Sequence, residues 1–290
     1  MKRKFIAGLA ALLLPVWLAS ACMAELEVRF FSVGKADAML ITAEDGSRIL
    51  IDAGTNKVGK ALAQRFRKEG VDRIDLMIIT HFDKDHVGGA DQILEECEVA
   101  RVLIPSYAKE SKQHTQFVEA LGRSSGTQVT EMKTKDVLEL DFGEMHLGIT
   151  AAHETHYGED EENDFSLAAR LTHGRTRFFF TGDAEAPRQL ELLEEGDVAC
   201  DVLKVPYHGR AVSCSAAFLS ACAPKIAWIP DSEEEPANEA LVQYLEETLG
   251  AEVYRRASDG DLTVLTDGER VWVKEKKCGA APDFRCRPVQ

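Results

Sequence analysis

Four residues within six consecutive positions carry ligand chemistry. In "ITHFDKDHVGG", residues 79–89, His81, Asp83, Asp85 and His86 follow directly on the apolar run "IDLMIIT" at 74–80. Imidazole nitrogen and carboxylate oxygen are ligands of Zn²⁺ and related divalent cations. Residues that alternate sides of such a turn can serve two ions. Two carboxylates in a partly buried turn repel each other, and a cation removes that cost. Gly88-Gly89 lets the backbone turn tightly into the next element. A plainer reading is a solvated acidic turn in which Asp83 or Asp85 caps a helix. Two further strand ends weigh against it. "FFFTGDAE" ends an apolar strand in Gly182-Asp183, and "LKVPYHG" ends another in His208-Gly209. Loops at strand ends are where sites form in α/β folds, because they are free of ladder geometry.

The elements that must position these residues follow from hydropathy patterning. Strands are expected over 26–34, 37–43 and 47–54, a helix over 60–70, and a buried strand over 74–80. A helix over 88–98, a strand over 100–106 and a helix over 111–122 come next, then strands near 128–132 and 144–152. "ETHYGEDEEND" (154–164) is acidic and poor in apolar residues, so it reads as a loop. A hairpin over 165–183 leads to a helix over 184–195 and a strand over 200–209. A helix near 215–222, a strand over 225–230, a helix over 237–249 and strands over 252–257, 261–267 and 270–275 complete the pattern. No linker divides it. Helices alternating with strands must cover a sheet, and the strand-rich stretches call for two sheets packed together.

Composition narrows the class. The chain has 290 residues, 45% of them hydrophobic, with a formal charge of −15. That sign opposes broad attraction to nucleic acid or anionic lipid. Lys2, Arg3 and Lys4, an apolar centre from Phe5 to Leu18 and small residues after it form the three-part pattern of a secretory signal peptide over 1–24. The alternatives are an uncleaved anchor and a lipoprotein tethered at Cys22. Export through that segment implies a secreted or cell-surface protein with no lasting membrane association once it is removed. It also makes a disulfide between Cys278 and Cys286 the expected state of the tail over 276–290, against two unpaired thiols. No cysteine pair has zinc-finger spacing.

"THFDKDHVGG" resembles the H-x-[HD]-x-D-H signature of the metallo-β-lactamase fold superfamily. "FFSVGKADAMLI", "ILIDAG", "NDFSLAARL", "FFFTGDAE" and "DVLKVPYHG" resemble one branch of it, the hydrolase domain of ComEC-type competence proteins and their stand-alone secreted relatives. The resemblance runs from about Leu26 to Val273. It implies a four-layer αββα sandwich over 25–275 and a pair of divalent ions, Zn²⁺ or Mn²⁺. Carried over by position, it makes His81 and Asp83 ligands of a first metal and Asp85 and His86 ligands of a second. Asp183 would bridge the two and His208 would complete the second. A third ligand of the first metal is expected from "ITAAHETH", where His153 is preferred to His156 because it follows the strand directly. The chain departs from the branch at Tyr207, where relatives usually have His; a tyrosine hydroxyl donates a hydrogen bond but is a poor base near neutrality. Asp83, where many members have His, makes the first site harder and Mn²⁺ more plausible.

The chemistry so implied is hydrolysis by a metal-activated hydroxide. Asp85 would orient it and Tyr207 would steady developing charge. Lys204 and Arg210 would meet an anionic substrate, with a snorkelling strand residue as the plain alternative for Lys204. Small or cell-wall-derived phosphodiesters are the first expectation for substrate. Single-stranded DNA is the second, disfavoured by charge, and a non-catalytic binding protein that keeps the fold is the third.

Overall fold

The computed structural model describes residues 26–158, 162–275 and 285–289. The expected signal segment and Cys278 lie outside them.

Two large sheets pack face to face. The first has nine strands. Leu262–Thr266, Leu26–Phe30, Met39–Ala43 and Arg48–Ile51 run antiparallel through its centre. Leu76–Ile78, Arg101–Pro105 and Gln128–Met132 extend it in parallel. Val271–Glu275 and Arg285–Pro288 extend the other edge, so part of the expected tail is a sheet strand. The second sheet has seven strands. Val137–Phe142, Met145–Thr150, Ala168–His173 and Thr176–Phe180 are antiparallel. Val202–Lys204, Ile226–Ile229 and Glu252–Arg255 continue in parallel.

The side-chain period of two in a strand explains the layers. Val28 and Phe30 from one sheet meet Phe178, Phe180 and Trp228 from the other in a shared apolar core. Phe179, between two inward rings, points the opposite way and packs with Phe218 and Leu219 of the helix Ser215–Cys222. On the outer face of the first sheet, Leu40, Leu50 and Met77 pack with Leu62 and Phe66 of the helix Asn56–Lys68 and Ile93 of the helix Ala90–Glu96. The order of layers is helix, sheet, sheet, helix, as the sequence reading expects. Arg285–Pro288 in the expected tail is absent from that reading, and so is the strand Val137–Phe142. The latter lies at a sheet edge with every other residue exposed, Val137 at 63%, so no apolar run announces it.

Candidate metal centre

The three stretches singled out in the sequence meet at one end of the two sheets. Asp52, with φ 57°, turns the chain out of the strand Arg48–Ile51. Its carboxylate accepts from the Thr80 amide and the Thr80 hydroxyl, each at 2.8 Å. This ties two neighbouring strand ends together just before His81. The turn that follows is locked by backbone bonds: the His86 and Val87 amides donate to the Asp83 carbonyl, and Ala53 donates to the His86 carbonyl. The Asp37 amide donates to the carbonyl of Asp85 at 3.1 Å. Gly88-Gly89 is needed for closeness: a Cβ on Gly89 would lie 2.2 Å from the Ala53 carbonyl oxygen. From the other sheet, Ser166 Oγ accepts from the Asp183 amide at 3.0 Å, and the Leu167 amide donates to the Thr80 carbonyl. Asp164 accepts from the amides of Glu185 and Arg188, clamping "NDFSL" to the helix after Asp183.

Three imidazoles point their Nε2 atoms into this junction. Each is held from behind through Nδ1: His86 by Asp52 at 2.8 Å, His208 by the Pro230 carbonyl at 3.0 Å, and His81 by the Thr80 hydroxyl at 3.1 Å. Their Nε2 atoms are buried and make no well-directed hydrogen bond. Carboxylates crowd them. Asp183 Oδ2 lies 2.8 Å from His208 Nε2 and 3.3 Å from His86 Nε2, and Asp85 Oδ2 lies 3.4 Å from His208 Nε2. Asp83 Oδ2 is 4.0 Å from His81 Nε2. Buried polar atoms are normally satisfied. Three imidazole lone pairs facing carboxylates fit a divalent cation, since a metal-bound histidine has its other nitrogen held by an acceptor in this way.

This site lies on a domain whose family is plain. Residues 32–230 match the model of the metallo-beta-lactamase superfamily. The chain belongs to that superfamily. It is 28% identical over 221 residues to ComE operon protein 3 of Bacillus subtilis, covering 70% of this chain and 28% of that protein. It is 27% identical over 215 residues to Recombination protein 2 of Haemophilus influenzae, covering 72% of this chain and 25% of that one. It thus spans about a quarter of the length of these relatives. Among solved structures, the metallo-beta-lactamase fold protein YhfI from Bacillus subtilis superposes with a TM-score of 0.55 at 12% identity, over 82% of this chain and 99% of that one. The ComEC-type resemblance and the αββα fold therefore stand. Superfamily members are generally hydrolases.

Of the residues expected at the metals, His81, Asp83, Asp85, His86, Asp183 and His208 come together. His153 does not: its ring Nε2 lies 3.0 Å from Glu195 Oε1, and its amide donates to Glu191. Glu195 is already fixed by Arg188 and Arg170, each at 3.0 Å, so the histidine turns to a ready partner on the helix Ala186–Glu195. His156 is exposed. The first-metal position thus gathers two of its expected donors rather than three.

Lys204 also differs from its expected place at the substrate. It is fully buried, with Nζ 2.6 Å from Asp37 Oδ2 and 3.0 Å from Asp183 Oδ1, and it donates to the Gly182 carbonyl. It is an internal counter-charge. Arg210 is at the rim, paired with Glu235, with its guanidinium 5.2 Å from the centre of the Tyr207 ring.

Asp37 and Asp52 carry no role in the sequence reading. One donor atom each from Asp37, His86, Asp183 and His208 lies within 4.8 Å of the others. Asp37 faces the Nδ1 edges of His86 and His208, at 3.9 and 3.8 Å, and so sits behind the rings with Lys204. A signal for both was available: a lone Asp inside "KADAML" and "ILIDAG", where an unpaired carboxylate would be costly to bury.

Charge at the site follows from these contacts. Burial disfavours a charged His86, but Asp183, Asp52 and Asp37 outweigh it and hold its pKa well above the usual value. His208 is raised the same way, burial being overcome by Asp183 and Asp85. Burial would raise Asp183, yet His208, Lys204 and His86 hold it well below the ordinary carboxylate range. Asp85 is depressed against burial by its bond to His208 and the charge of His86. Burial and the nearby His86 lower His81 to about 4. His86 and His208 would have to give up their protons to hold a cation here, so metal affinity is expected to rise with pH.

Proposed function

We propose that this chain is an extracytoplasmic metal-dependent hydrolase of phosphodiester bonds, with a small or cell-wall-derived ester as substrate. The observation that carries this reading is the set of three buried, backed imidazoles: the Nε2 atoms of His86 and His208 face Asp183, with Asp85 also against His208, and that of His81 faces Asp83. His86, His208, Asp85 and Asp183 would hold one divalent ion, Zn²⁺ or Mn²⁺, and His81 and Asp83 would contribute to a second. A divalent ion supplies Lewis acidity, which activates water and draws charge from a phosphoryl oxygen.

The chain's own residues do the rest. Asp52, Pro230 and Thr80 fix the ring orientations so that little reorganisation is needed when a ligand arrives. Asp85, held ionised, would accept a hydrogen bond from the attacking water and so orient it. Lys204 keeps Asp183 ionised and in place from the side away from solvent. The Tyr207 hydroxyl donates to charge developing on the substrate. Extracytoplasmic location rests on the leader pattern over 1–24. Among the described residues no helix is long and apolar enough to cross a membrane.

Nucleic acid is the second reading, favoured by the match of most of this domain to a protein named for recombination. The formal charge of −15 opposes it. The test is metal content with turnover of bis(p-nitrophenyl) phosphate, then catalytic efficiency on that ester against a long single strand at low and moderate salt. Two metals or one, with turnover of the small ester, supports the hydrolase. No bound metal overturns it in favour of a binding protein. Efficient strand cleavage that collapses with added salt moves the nuclease reading first.

A further inference from the structure

Beside the metal centre two cations converge on one carboxylate. Lys35 Nζ lies 3.2 Å from Glu235 Oε2, and the Arg210 guanidinium pairs with the same oxygen. Arg210 Nη1 also donates to the Tyr207 hydroxyl at 3.3 Å, above whose ring the guanidinium lies. The three residues lean on the site through short backbone links. Lys35 is two residues before Asp37, and Tyr207 directly precedes His208. The loop of Glu235 is fastened there too, because the Asn238 amide donates to the Gly209 carbonyl.

The backbone conformation at Tyr207 is costly. Tyr207 and His208 both have φ 51°, and Gly209 has φ 74°. Two successive side-chain-bearing residues in the left-handed region cost energy that a plain turn would avoid, and such strain gathers at functional sites. Its effect here is to send His208 inward to the centre while Tyr207 lies at the rim under Arg210. Lys35 and Arg210 together carry two positive charges against one on Glu235, which is half-exposed at 52%. A partly exposed carboxylate shared between two cations is held weakly, because water competes for all three groups.

We propose that Lys35, Arg210 and Tyr207 form the recognition rim for the anionic phosphoryl group of the substrate, and that Glu235 is a resident competitor that the phosphoryl oxygens displace. This rests on the phosphodiester reading above and names the residues that give it specificity. Guanidinium and ammonium groups side by side suit a phosphoryl group, which accepts from both. Glu235 keeps the rim satisfied without substrate and turns away ligands too weakly charged to replace it.

The experiment uses the full-length, metal-loaded protein and its E235Q, K35M and R210M variants, with circular dichroism to verify folding. Inorganic phosphate binding is measured by calorimetry, and KM and kcat on bis(p-nitrophenyl) phosphate are measured separately. E235Q should tighten phosphate and lower KM about two- to fivefold with kcat little changed, and K35M and R210M should each weaken phosphate binding and raise KM about as much. Unchanged phosphate affinity in E235Q, or in both cation variants, overturns the rim, as does a wild-type protein that binds no phosphate. Phosphate affinities that move as expected without turnover of any ester leave the rim standing and remove the hydrolase reading. Turnover with immobile affinities does the reverse.

Discussion

Lys204→Met removes a buried ammonium in contact with both Asp37 and Asp183. All three groups are buried, and the two contacts measure 2.6 and 3.0 Å. Removing one partner of a buried pair leaves an uncompensated charge, which costs about 3–5 kcal/mol. The Gly182 carbonyl also loses its donor. In a domain of this size each kcal/mol shifts the melting temperature by ~2–4 °C, so a fall of roughly 6–20 °C is expected for metal-free protein. A divalent ion supplies positive charge next to Asp183, so saturating metal should recover part of the loss. The double variant Lys204→Met with Asp37→Asn should also recover part, since the stranded carboxylate is then neutral. Urea unfolding of wild type, both single variants and the double variant, with chelator and with Mn²⁺ or Zn²⁺, gives the cycle. A loss below about 1 kcal/mol in the metal-free single variant, against the cost expected of a broken buried pair, would show that Lys204 is not a buried counter-charge.

Other outcomes follow from the same contacts. Asp52→Ala frees the His86 ring and should weaken metal binding about 10–100-fold by calorimetry; unchanged affinity would mean that the ring is held by other contacts. His153→Ala should keep full metal content by elemental analysis, because its ring is committed to Glu195, and loss of an equivalent would show that the ring swings to the metal. Burial raises the Asp164 carboxyl to about 6. Its folded pKa exceeds the unfolded value, so it favours folding while protonated and its contribution is lost as pH climbs through about 6. Asp164→Asn should therefore be more stable relative to wild type at pH 7.5 than at pH 4, and urea midpoints that shift equally at both pH values would contradict this.

The sequence by itself determined the parts whose physics is local. His81, Asp83, Asp85 and His86 are close in space because they are close in the chain, in a turn that two glycines allow. Gly182-Asp183 and His208-Gly209 were legible as strand ends, and alternation along "FFFT" gave Phe178 and Phe180 one face and Phe179 the other. Tertiary structure decided whatever depends on distant partners. Lys204 could have faced solvent; it is internal because Asp37, far away in sequence, ends a loop beneath it. His153 is preferred to His156 as a ligand because it follows the strand directly, yet Glu195, anchored by two arginines, holds its ring. The edge strand Val137–Phe142 exists through its ladder with Met145–Thr150, a pairing that its half-exposed side chains do not advertise. A turn can be read from its own residues, but a buried charge is intelligible only with its counter-charge, and three-dimensional packing chooses that partner.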